Sequence, residues 1–525
     1  MKKILFLILF LPLFSCNDWI DVDSEVSVTY RNYFNSEQDL EDLFNTILGA
    51  EKATLAYPAL TSLDWSGLPC SYAGKDSEPF RLLSPSVFWD DSKKTGGWGN
   101  YYKAIFMANF IRENEFRFNN ISEERMKYWF AQADFAKGLM YFRIAQDWGE
   151  AIVAPGTEDA SELAKSPVDS ILAQAIRSAE AALILPTYDK LTDSQGKNIS
   201  SRQYASLGTV HTLLANIYAW MGGLYNNDEY WKKAEEEASL VIDGKVGFYD
   251  LVSMKDLVEK TFGKARDVTE VIFAIEKNEQ DDEWLNMAGL EMPYPGFALI
   301  NYPYAETDPR KVDKARDVAR IHVDSVKKLY SEKDLRRKEY WYKLGETIPM
   351  DTINAKTHMV DHFEFEPTYA YINKWRDKVY STNPEVTESS KSVLITMECN
   401  RVYWRLADLI LLRAECRAHL GDGNAVKDLN RIRERAGLGA YTGSTEKKEL
   451  LKEIFRERER ELFGEGQRYH DIVRNGYFRD VLLGNYKTLT DKDVKNGALY
   501  LPVANNAFLN NPLMTQNIYW LWHQN

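Results

Sequence analysis

Apolar residues recur every three or four positions along much of this chain. In one long run the repeating positions are Trp129, Ala133, Ala136, Met140 and Ile144. This spacing places them on one side of an α-helix and is typical of a helix with a single buried face. The sequence therefore predicts a long, packed helix here.

A second helix is predicted to begin at Ser166-Pro167-Val168-Asp169. Ser166 can cap the first turn, Pro167 suits its fixed backbone angle, and Asp169 lies where a capping box needs an acid. The same apolar spacing then continues through Leu172, Ala175, Ile176, Ala179 and Leu183.

Helix pairs with small residues at the predicted contacts return twice. The first pair carries the faces Leu207, His211, Leu214, Ala215, Tyr218 and Trp231, Ala234, Ala238, Val241. The second carries Tyr403, Leu406, Ala407, Ile410, Leu411, Ala414, Ala418 and Ala425, Leu429, Ile432, followed by a third helix with Leu451, Ile454, Phe455 and Leu462. Such pairs are typical of tetratricopeptide-like repeats.

The segment from about 245 to 398 has a different pattern. Val271–Ile275 reads as a buried strand, whereas the Pro-rich stretches at 292–296 and 302–304 place aromatic residues in loops. We therefore predict a mainly α fold. A tetratricopeptide-like scaffold covers about 31–244 and 399–480, with a loop-rich, aromatic insert of a few short strands at about 245–398.

The first sixteen residues have the order of an export signal. Lys2 and Lys3 precede an apolar run, and Leu13-x-Ser15-Cys16 ends it. The junction resembles a bacterial lipobox, in which the cysteine is lipidated; an ordinary signal peptide is the alternative. We expect 1–15 to be a signal peptide, 16–30 a lipidated Cys16 with an acidic leader, and 31–525 one domain. No later run is apolar enough to span a bilayer.

Charge and cysteine content exclude some classes of function. The formal net charge is −13, which argues against nucleic-acid binding and against docking on anionic lipid. Apart from Cys16, the cysteines are Cys70, Cys399 and Cys416, an odd number that forms no disulfide framework. We expect Cys399 and Cys416 to be small buried residues.

The sequence offers little catalytic chemistry. His358-x-x-Asp361-His362 resembles an inverted zinc motif, but the following residues alternate like a strand and no third ligand stands out. Gly437-x-Gly439 lacks the context of a dinucleotide site, and Gly-x-Ser-x-Gly and P-loop motifs do not occur. We therefore predict no catalytic residue, no metal and no cofactor.

A family resemblance rests on the C-terminal third. Glu457–Phe463 followed by Glu465–Arg474 resembles the E-R-x-x-E-L…E-G-x-R-x-x-D-x-x-R signature of the SusD/RagB outer-membrane lipoproteins. Asp134 stands where this family usually has Arg. Further similar segments, in the family's order, are Cys16–Asp21, Ala131–Gly149, Arg405–Glu415, Leu429–Leu438, Tyr500–Val503 and Asn511–Asn517. Physically, we expect the alternating Glu and Arg residues of the signature to form structural ion pairs between helices.

The resemblance implies a cell-surface lipoprotein that binds glycans without catalysis. Its members capture oligosaccharides and pass them to a SusC-like, TonB-dependent transporter in the outer membrane. Oligopeptide binding in the same transport system, a surface endo-glycosidase and a helical scaffold for protein assembly are the alternatives. The ligand itself cannot be identified from the sequence.

The family's binding aromatics lie in the loops before the first long helix and in the central insert. Aromatic rings there can stack on sugar rings, and nearby amides or carboxylates can hold hydroxyl groups. For each aromatic residue, burial in the core is the alternative. The ligand-binding candidates are Asp64, Trp65, Trp98, Asn100, Trp284, Tyr294, Tyr302, Tyr304 and Trp341.

Overall fold

The computed structural model describes residues 34–55, 69, 71, 78–84, 97–159, 161–276, 302–304, 308–314, 320–354, 356–380, 394–397, 399–509 and 511–523. The predicted mainly α architecture with a few short strands is confirmed. No helix in these ranges is both long enough and apolar enough to cross a membrane.

The first part of the scaffold is a succession of helices. They are α1 (Glu37–Leu55), α2 (Glu78–Arg81), α3 (Gly99–Glu113), α4 (Glu123–Asp147), α5 (Val168–Ala181), α6 (Leu207–Tyr225) and α7 (Asp228–Ile242). Short 3₁₀ turns occur at Glu115–Arg117 and Tyr188–Lys190.

The insert has short helices and most of the strands. Its helices are α8 (Met254–Asp256), continued by a π-turn at Leu257–Thr261, α9 (Pro309–Lys314), α10 (Val323–Leu329) and α11 (Leu335–Tyr340). The strands are β1 (Val271–Ile275), β2 (Trp341–Tyr342), β3 (Ile348–Ile353), β4 (Val360–Phe365), β5 (Tyr371–Ile372), β6 (Lys378–Tyr380), β7 (Leu394–Met397) and β8 (Arg401–Arg405).

The chain then returns to the scaffold. The helices are α12 (Leu406–His419), α13 (Ala425–Arg435), α14 (Lys447–Glu461), α15 (Arg468–Arg474), α16 (Phe478–Val481), α17 (Asp491–Lys495) and α18 (Ile518–Trp522), with 3₁₀ turns at Gly484–Thr488 and Asn505–Phe508.

The scaffold helices pack as the predicted pairs. α4 lies against α5, α6 against α7, and α12 against α13 and α14. Small residues allow the close approach: a Cβ added to Gly138 of α4 would lie 3.1 Å from the Ala175 carbonyl oxygen of α5. The prediction of helix pairs with small residues at their contacts is confirmed.

The start of α5 differs from the prediction. The helix begins at Val168, and Pro167 occupies the N-cap position without any side-chain cap. Ser166 instead pairs with Ala151 in an isolated bridge, in which its N–H donates to the Ala151 carbonyl oxygen (2.6 Å). The capping role predicted for Ser166 is therefore wrong, because this residue already belongs to a backbone pairing.

Four antiparallel strand pairs lie in the described residues: β1–β8, β2–β5, β3–β4 and β6–β7. β1 and β8 are buried along their whole length and join the insert to the scaffold, which confirms the predicted strand at Val271–Ile275. β3 and β4 form a largely exposed hairpin.

Two main hydrophobic clusters correspond to the scaffold and the insert. The scaffold cluster includes Trp129, Leu214 and Cys416, and the insert cluster includes Trp341 and Cys399. Both described cysteines are buried, as predicted. The domain boundaries drawn from the sequence stay a prediction.

The Glu/Arg signature forms a buried ionic network. Arg405 donates from Nη1 to Glu270 (2.8 Å) and Glu461 (2.7 Å), and from Nη2 to Glu465 (2.7 Å). Arg435 also donates to Glu461. Every one of these side chains is less than a tenth exposed. The ion pairs expected between helices are confirmed.

A second buried group joins α12, α14 and α15. Arg458 donates from Nε to Asp471 (2.8 Å), and Arg474 bonds to both Glu415 and Asp471 (2.7 Å each). Burial alone raises the pKa of Glu415, but the charge of Arg474 and its hydrogen bonds outweigh burial and hold that pKa at about 2. These charged groups fix helix packing.

Candidate functional site

The insert carries aromatic side chains on one face of β5 and of the residues that precede it. Because side chains alternate along extended chain, Tyr369 and Tyr371 share one face, while Ala370 and Ile372 share the other. Ala370 and Ile372 belong to the insert core, whereas Tyr371 belongs to a separate small cluster with Tyr302. The strand therefore separates a packed face from an aromatic one.

On this face five rings lie in two contacting groups. The ring of Tyr302 lies 5.7 Å from that of Tyr342 and 4.9 Å from that of Tyr371. Further along, His322 and Tyr369 lie 4.7 Å apart with their planes tilted by 32°. We call these five residues the aromatic row.

Exposure differs along the aromatic row. Tyr302 and Tyr371 are buried, Tyr342 and Tyr369 are half-buried, and His322 is exposed. Burial, together with the charge of Asp313, raises the pKa of Tyr371, so this phenol is neutral at ordinary pH. The two buried rings form a base, and the Tyr369–His322 end presents aromatic surface to solvent.

Polar groups border the exposed end. The Arg320 guanidinium lies 4.8 Å from the centre of the Tyr369 ring. Asp313 accepts a hydrogen bond from the Thr368 N–H (2.9 Å). An aromatic surface beside a cation and a carboxylate has the chemistry that binds sugar rings and their hydroxyl groups.

The loop region before the first long helix contacts the Tyr369–His322 end of the aromatic row through Ser71. The Ser71 N–H donates to the Arg320 carbonyl oxygen (2.8 Å), and the His322 N–H donates to Ser71 Oγ (3.2 Å). In sequence, Ser71 follows Trp65 by six residues. The two sequence regions from which candidates were drawn therefore touch at the aromatic row.

Four of the nine predicted candidates lie outside the described residues: Asp64, Trp65, Trp284 and Tyr294. Two others lie on the scaffold. Asn100 is exposed on the first turn of α3, but Trp98 is buried in the scaffold core, 6.0 Å from Trp148 and 5.7 Å from Tyr102 (ring centres). For Trp98, the structure therefore agrees with the alternative of burial in the core.

The remaining three candidates lie in the insert. Tyr302 is part of the aromatic row. Tyr304 is half-buried and donates from Oη to Asn373 Oδ1 (2.5 Å). Trp341 is only 2% exposed and packs 5.0 Å from the Phe463 ring, so it offers no open stacking face. Ligand contacts by any of the nine residues stay a prediction.

Sequence reasoning did not select Tyr342, Tyr369, Tyr371 or His322. The available signal was the alternation Tyr369-Ala370-Tyr371, which is typical of a strand with one aromatic face. The contacts that join these residues to Tyr302 come from distant parts of the chain, so spacing alone could not group them.

The histidine motif lies on the exposed β3–β4 hairpin. His362 Nδ1 lies 2.6 Å from Asp351 Oδ1 on the paired strand, and both side chains are open to solvent. In the part of the chain that the structure describes, no three His, Cys, Asp or Glu side chains are placed to hold a metal ion.

Family comparison agrees with this architecture. A family model described as "SusD family" matches residues 269–520, and one described as "Starch-binding associating with outer membrane" matches 18–207. The chain belongs to the SusD/RagB family. The matched ranges include the scaffold at both ends and the insert from β1 onward.

Individual SusD/RagB relatives align along nearly their whole length. SusD-like protein P25 of Formosa agariphila is 23% identical, with 98% of this chain and 97% of the relative covered. Among solved structures, a SusD homologue of Bacteroides thetaiotaomicron gives a TM-score of 0.71 at 22% identity, covering 92% of this chain and 98% of that one. B. fragilis NanU gives 0.63 at 18% identity, covering 94% and 99%. At these identities the structural likeness shows the fold.

Proposed function

We propose that this SusD/RagB protein is a cell-surface glycan-binding lipoprotein. It captures oligosaccharides at the aromatic row and the adjoining loops and delivers them to a TonB-dependent outer-membrane transporter. The observation that carries the proposal is family membership, because the two family matches together span the scaffold and the insert. One of them is described as starch-binding and associating with the outer membrane.

The aromatic row supports glycan as the ligand. Pyranose rings have apolar faces that stack on aromatic side chains, while their hydroxyl groups need polar partners. The half-buried Tyr369 ring and the exposed His322 ring supply the stacking surface, and Arg320 lies beside them.

The ionisation state of the carboxylates in the Glu/Arg signature supports binding without hydrolysis. A glycosidase needs one carboxylic acid with a raised pKa beside a second carboxylate at the cleaved bond. Burial opposes ionisation of Glu461 and Glu465. The arginines around Glu461, and Arg405 with Lys374 around Glu465, outweigh burial and lower both pKa values. These buried, ion-paired groups suit a structural role.

The export signal supports the proposed location. Lipidated Cys16 would hold the protein at the outer membrane, and the acidic leader from Asn17 to Tyr30 would link the lipid to the fold, which the structure describes from Phe34 onward. Two acyl signals or more anchor a protein far more stably than one.

A glycan and peptide array tests the proposal. The probe is the purified chain with Cys16→Ala, which keeps the whole fold without the lipid. We expect saturable binding to a group of related oligosaccharides and no new reducing ends after incubation. Binding to peptides alone, release of reducing ends, or no binding by a folded chain would each overturn glycan capture.

A further inference from the structure

The C-terminal part of the described chain presents a large apolar surface. Six large apolar side chains between positions 508 and 522 are exposed, with exposed fractions that run from 36% to 79%. No other stretch of this length in the described residues exposes as many. We call these six residues the C-terminal apolar surface: Phe508, Leu509, Leu513, Ile518, Leu521 and Trp522.

Half of this surface lies on α18, whose orientation is fixed by the scaffold. Residues three and four positions apart lie on the same side of a helix, so Ile518, Leu521 and Trp522 share one face of α18. The neighbouring Tyr519 and Trp520 are buried and belong to the scaffold cluster. The Trp520 indole N–H also donates to a backbone carbonyl oxygen twenty residues earlier in the chain (2.9 Å). The scaffold therefore anchors one side of α18, and the apolar side faces outward.

The other half lies on a loop that closes beside α18. The Val503 N–H donates to Gln516 Oε1 (2.8 Å), and Gln516 Nε2 donates to the Val503 carbonyl oxygen (2.9 Å). These two hydrogen bonds close the loop that carries Phe508, Leu509 and Leu513. Since α18 begins two residues after Gln516, both halves of the C-terminal apolar surface leave the scaffold at one place.

Charged side chains are missing from this part of the sequence. From Asn496 to Asn525 there is no Asp, Glu, Lys or Arg, although these residues make up 27% of the whole chain. The cores of protein–protein interfaces are depleted in charged residues in the same way. The nearest charges are on α17, whose end contacts α18 through the Tyr519 N–H and the Asn496 carbonyl oxygen (2.9 Å). That helix carries two Asp and two Lys residues, so its charges cancel.

The area of the C-terminal apolar surface matches that of a protein interface. From their exposed fractions, the six side chains offer on the order of 600 Å² of apolar area, which is at the upper end of the largest patch on a typical monomer. Homodimer interfaces are about 65% apolar, so a core of this size corresponds to roughly 900 Å² per copy with its polar rim. A stable complex buries about 800 Å² per partner.

We propose that the C-terminal apolar surface joins two copies of this chain into a two-fold dimer. Its area is that of a stable dimer interface, and its charge suits a second copy. With a formal net charge of −13, two copies repel each other wherever acidic surfaces meet, so they approach with least repulsion on an uncharged surface. In a two-fold dimer the same patch supplies both sides of the interface, and apolar area therefore meets apolar area.

Sedimentation velocity of the purified Cys16→Ala chain tests the proposal. We expect at least half of the chain to be dimeric at about 10 µM, since interfaces of this size give micromolar or tighter affinities. Raising NaCl from about 0.05 to 0.5 M should keep or strengthen the dimer, because salt screens the repulsion between acidic copies. A chain that is still monomeric at about 100 µM overturns the proposal.

Paired substitutions locate the interface. Leu521→Ser with Trp522→Ser removes two outward side chains and should raise the dimer dissociation constant about tenfold or more. The matched control is Ile184→Ser with Phe248→Ser, which removes two similarly exposed apolar side chains after α5 and α7 and should leave the constant unchanged. The urea midpoint of each double variant should equal that of the parent chain, which shows that folding is intact. A dimer that resists the first pair as well as the second overturns this surface as the interface.

A photo-crosslinking amino acid in place of Trp522 gives an independent readout. Under ultraviolet light it should join two chains, and the joined peptide should come from positions 508–522 of the second copy. Cross-links to another part of the second copy overturn the two-fold contact. In whole cells, cross-links to a different envelope protein and none to a second copy overturn the dimer and assign the surface to that protein. None of these results bears on glycan capture, which the array tests.

Discussion

Glu461 is the residue on which most of the buried ionic network converges. Its carboxylate is bonded by Arg405 (2.7 Å), Arg336 (3.1 Å) and Arg435, all with side chains less than a tenth exposed. Taking one partner from a buried ion pair leaves the others desolvated and unpaired, which costs more than the pair itself contributed.

We therefore expect Glu461→Gln to lower the free energy of unfolding by about 3–5 kcal/mol. Urea denaturation followed by tryptophan fluorescence measures this. Glu449→Gln is the matched control: its side chain is 53% exposed and pairs with exposed Lys452, so it should change stability by less than about 0.5 kcal/mol. Equal effects of the two substitutions would show that the ion pairs of Glu461 add nothing to the free energy of unfolding.

Glu51 is a buried carboxyl group in α1 that lacks this kind of support. Its Oε2 has no hydrogen-bond partner among the described residues, and burial raises its pKa from 4.5 to about 8. The folded protein therefore keeps a proton that the unfolded chain releases between pH 4.5 and 8. The stabilisation linked to this group is complete below pH 4.5 and is lost as pH rises towards 8.

Glu51→Gln removes that titration while keeping the shape of the side chain. Relative to wild type, the variant should gain roughly 2–4 kcal/mol of unfolding free energy between pH 5 and pH 8, because each pH unit is worth at most about 1.4 kcal/mol. Paired urea titrations at the two pH values measure the gain. A difference between the proteins that stays constant with pH would contradict a raised pKa.

At the scale of elements, the space around a helical glycine shows how closely a neighbouring helix approaches. A Cβ on Gly223 in α6 would lie 2.3 Å from the carbonyl oxygen of Arg474 in α15, whereas a Cβ on Gly49 in α1 would meet nothing within 4 Å. Both glycines lie within helices, so their intrinsic helix propensity is the same.

Gly223→Ala should therefore destabilise the protein by about 1–3 kcal/mol through overpacking. Gly49→Ala should stabilise it by about 0.5–1 kcal/mol, because alanine loses less backbone entropy in a helix. Thermal unfolding of the two variants provides the comparison. Stabilisation by both substitutions would mean that α6 and α15 are not in backbone contact.

Helices that bury one face could be predicted from the sequence, because the spacing of their apolar residues is a local pattern. The spacing from Trp129 to Ile144 and the Ala-rich faces of α6, α7 and α12 predicted elements that the structure contains. The start of α5 was less accessible. Whether Ser166 caps a helix or pairs with Ala151 depends on a neighbour fifteen residues away.

The candidate site was predictable only as a region. Composition pointed to the insert, but it could not tell which aromatic residues face solvent. Trp341 and Tyr342 are adjacent, yet one packs on Phe463 in the core and the other contacts Tyr302. That choice depends on strand pairing with β5, about thirty residues further along the chain.

At the scale of the whole molecule, the tether and the fold are separable under the proposed function. Cys16→Ala should leave the urea midpoint and the oligosaccharide affinity of the chain unchanged, because we expect residues 16–30 to be a leader outside the domain. It should release the protein from the outer membrane and reduce oligosaccharide uptake by whole cells. Membrane fractionation and an uptake assay measure these effects. A variant that stays in the outer membrane would show that Cys16 is not the anchor.

Glycan capture at the aromatic row is the central claim, and calorimetric titration of one tyrosine pair tests it most directly. Tyr369→Ala removes the half-buried ring beside His322. The control, Tyr230→Ala, removes a half-buried ring on α7 that packs against the scaffold cluster and not in the insert. With an oligosaccharide that binds the Cys16→Ala chain, Tyr369→Ala should weaken the affinity about tenfold, as loss of one stacking contact predicts, and Tyr230→Ala should change it less than twofold. Equal affinities for both variants and the parent chain would contradict capture at the aromatic row.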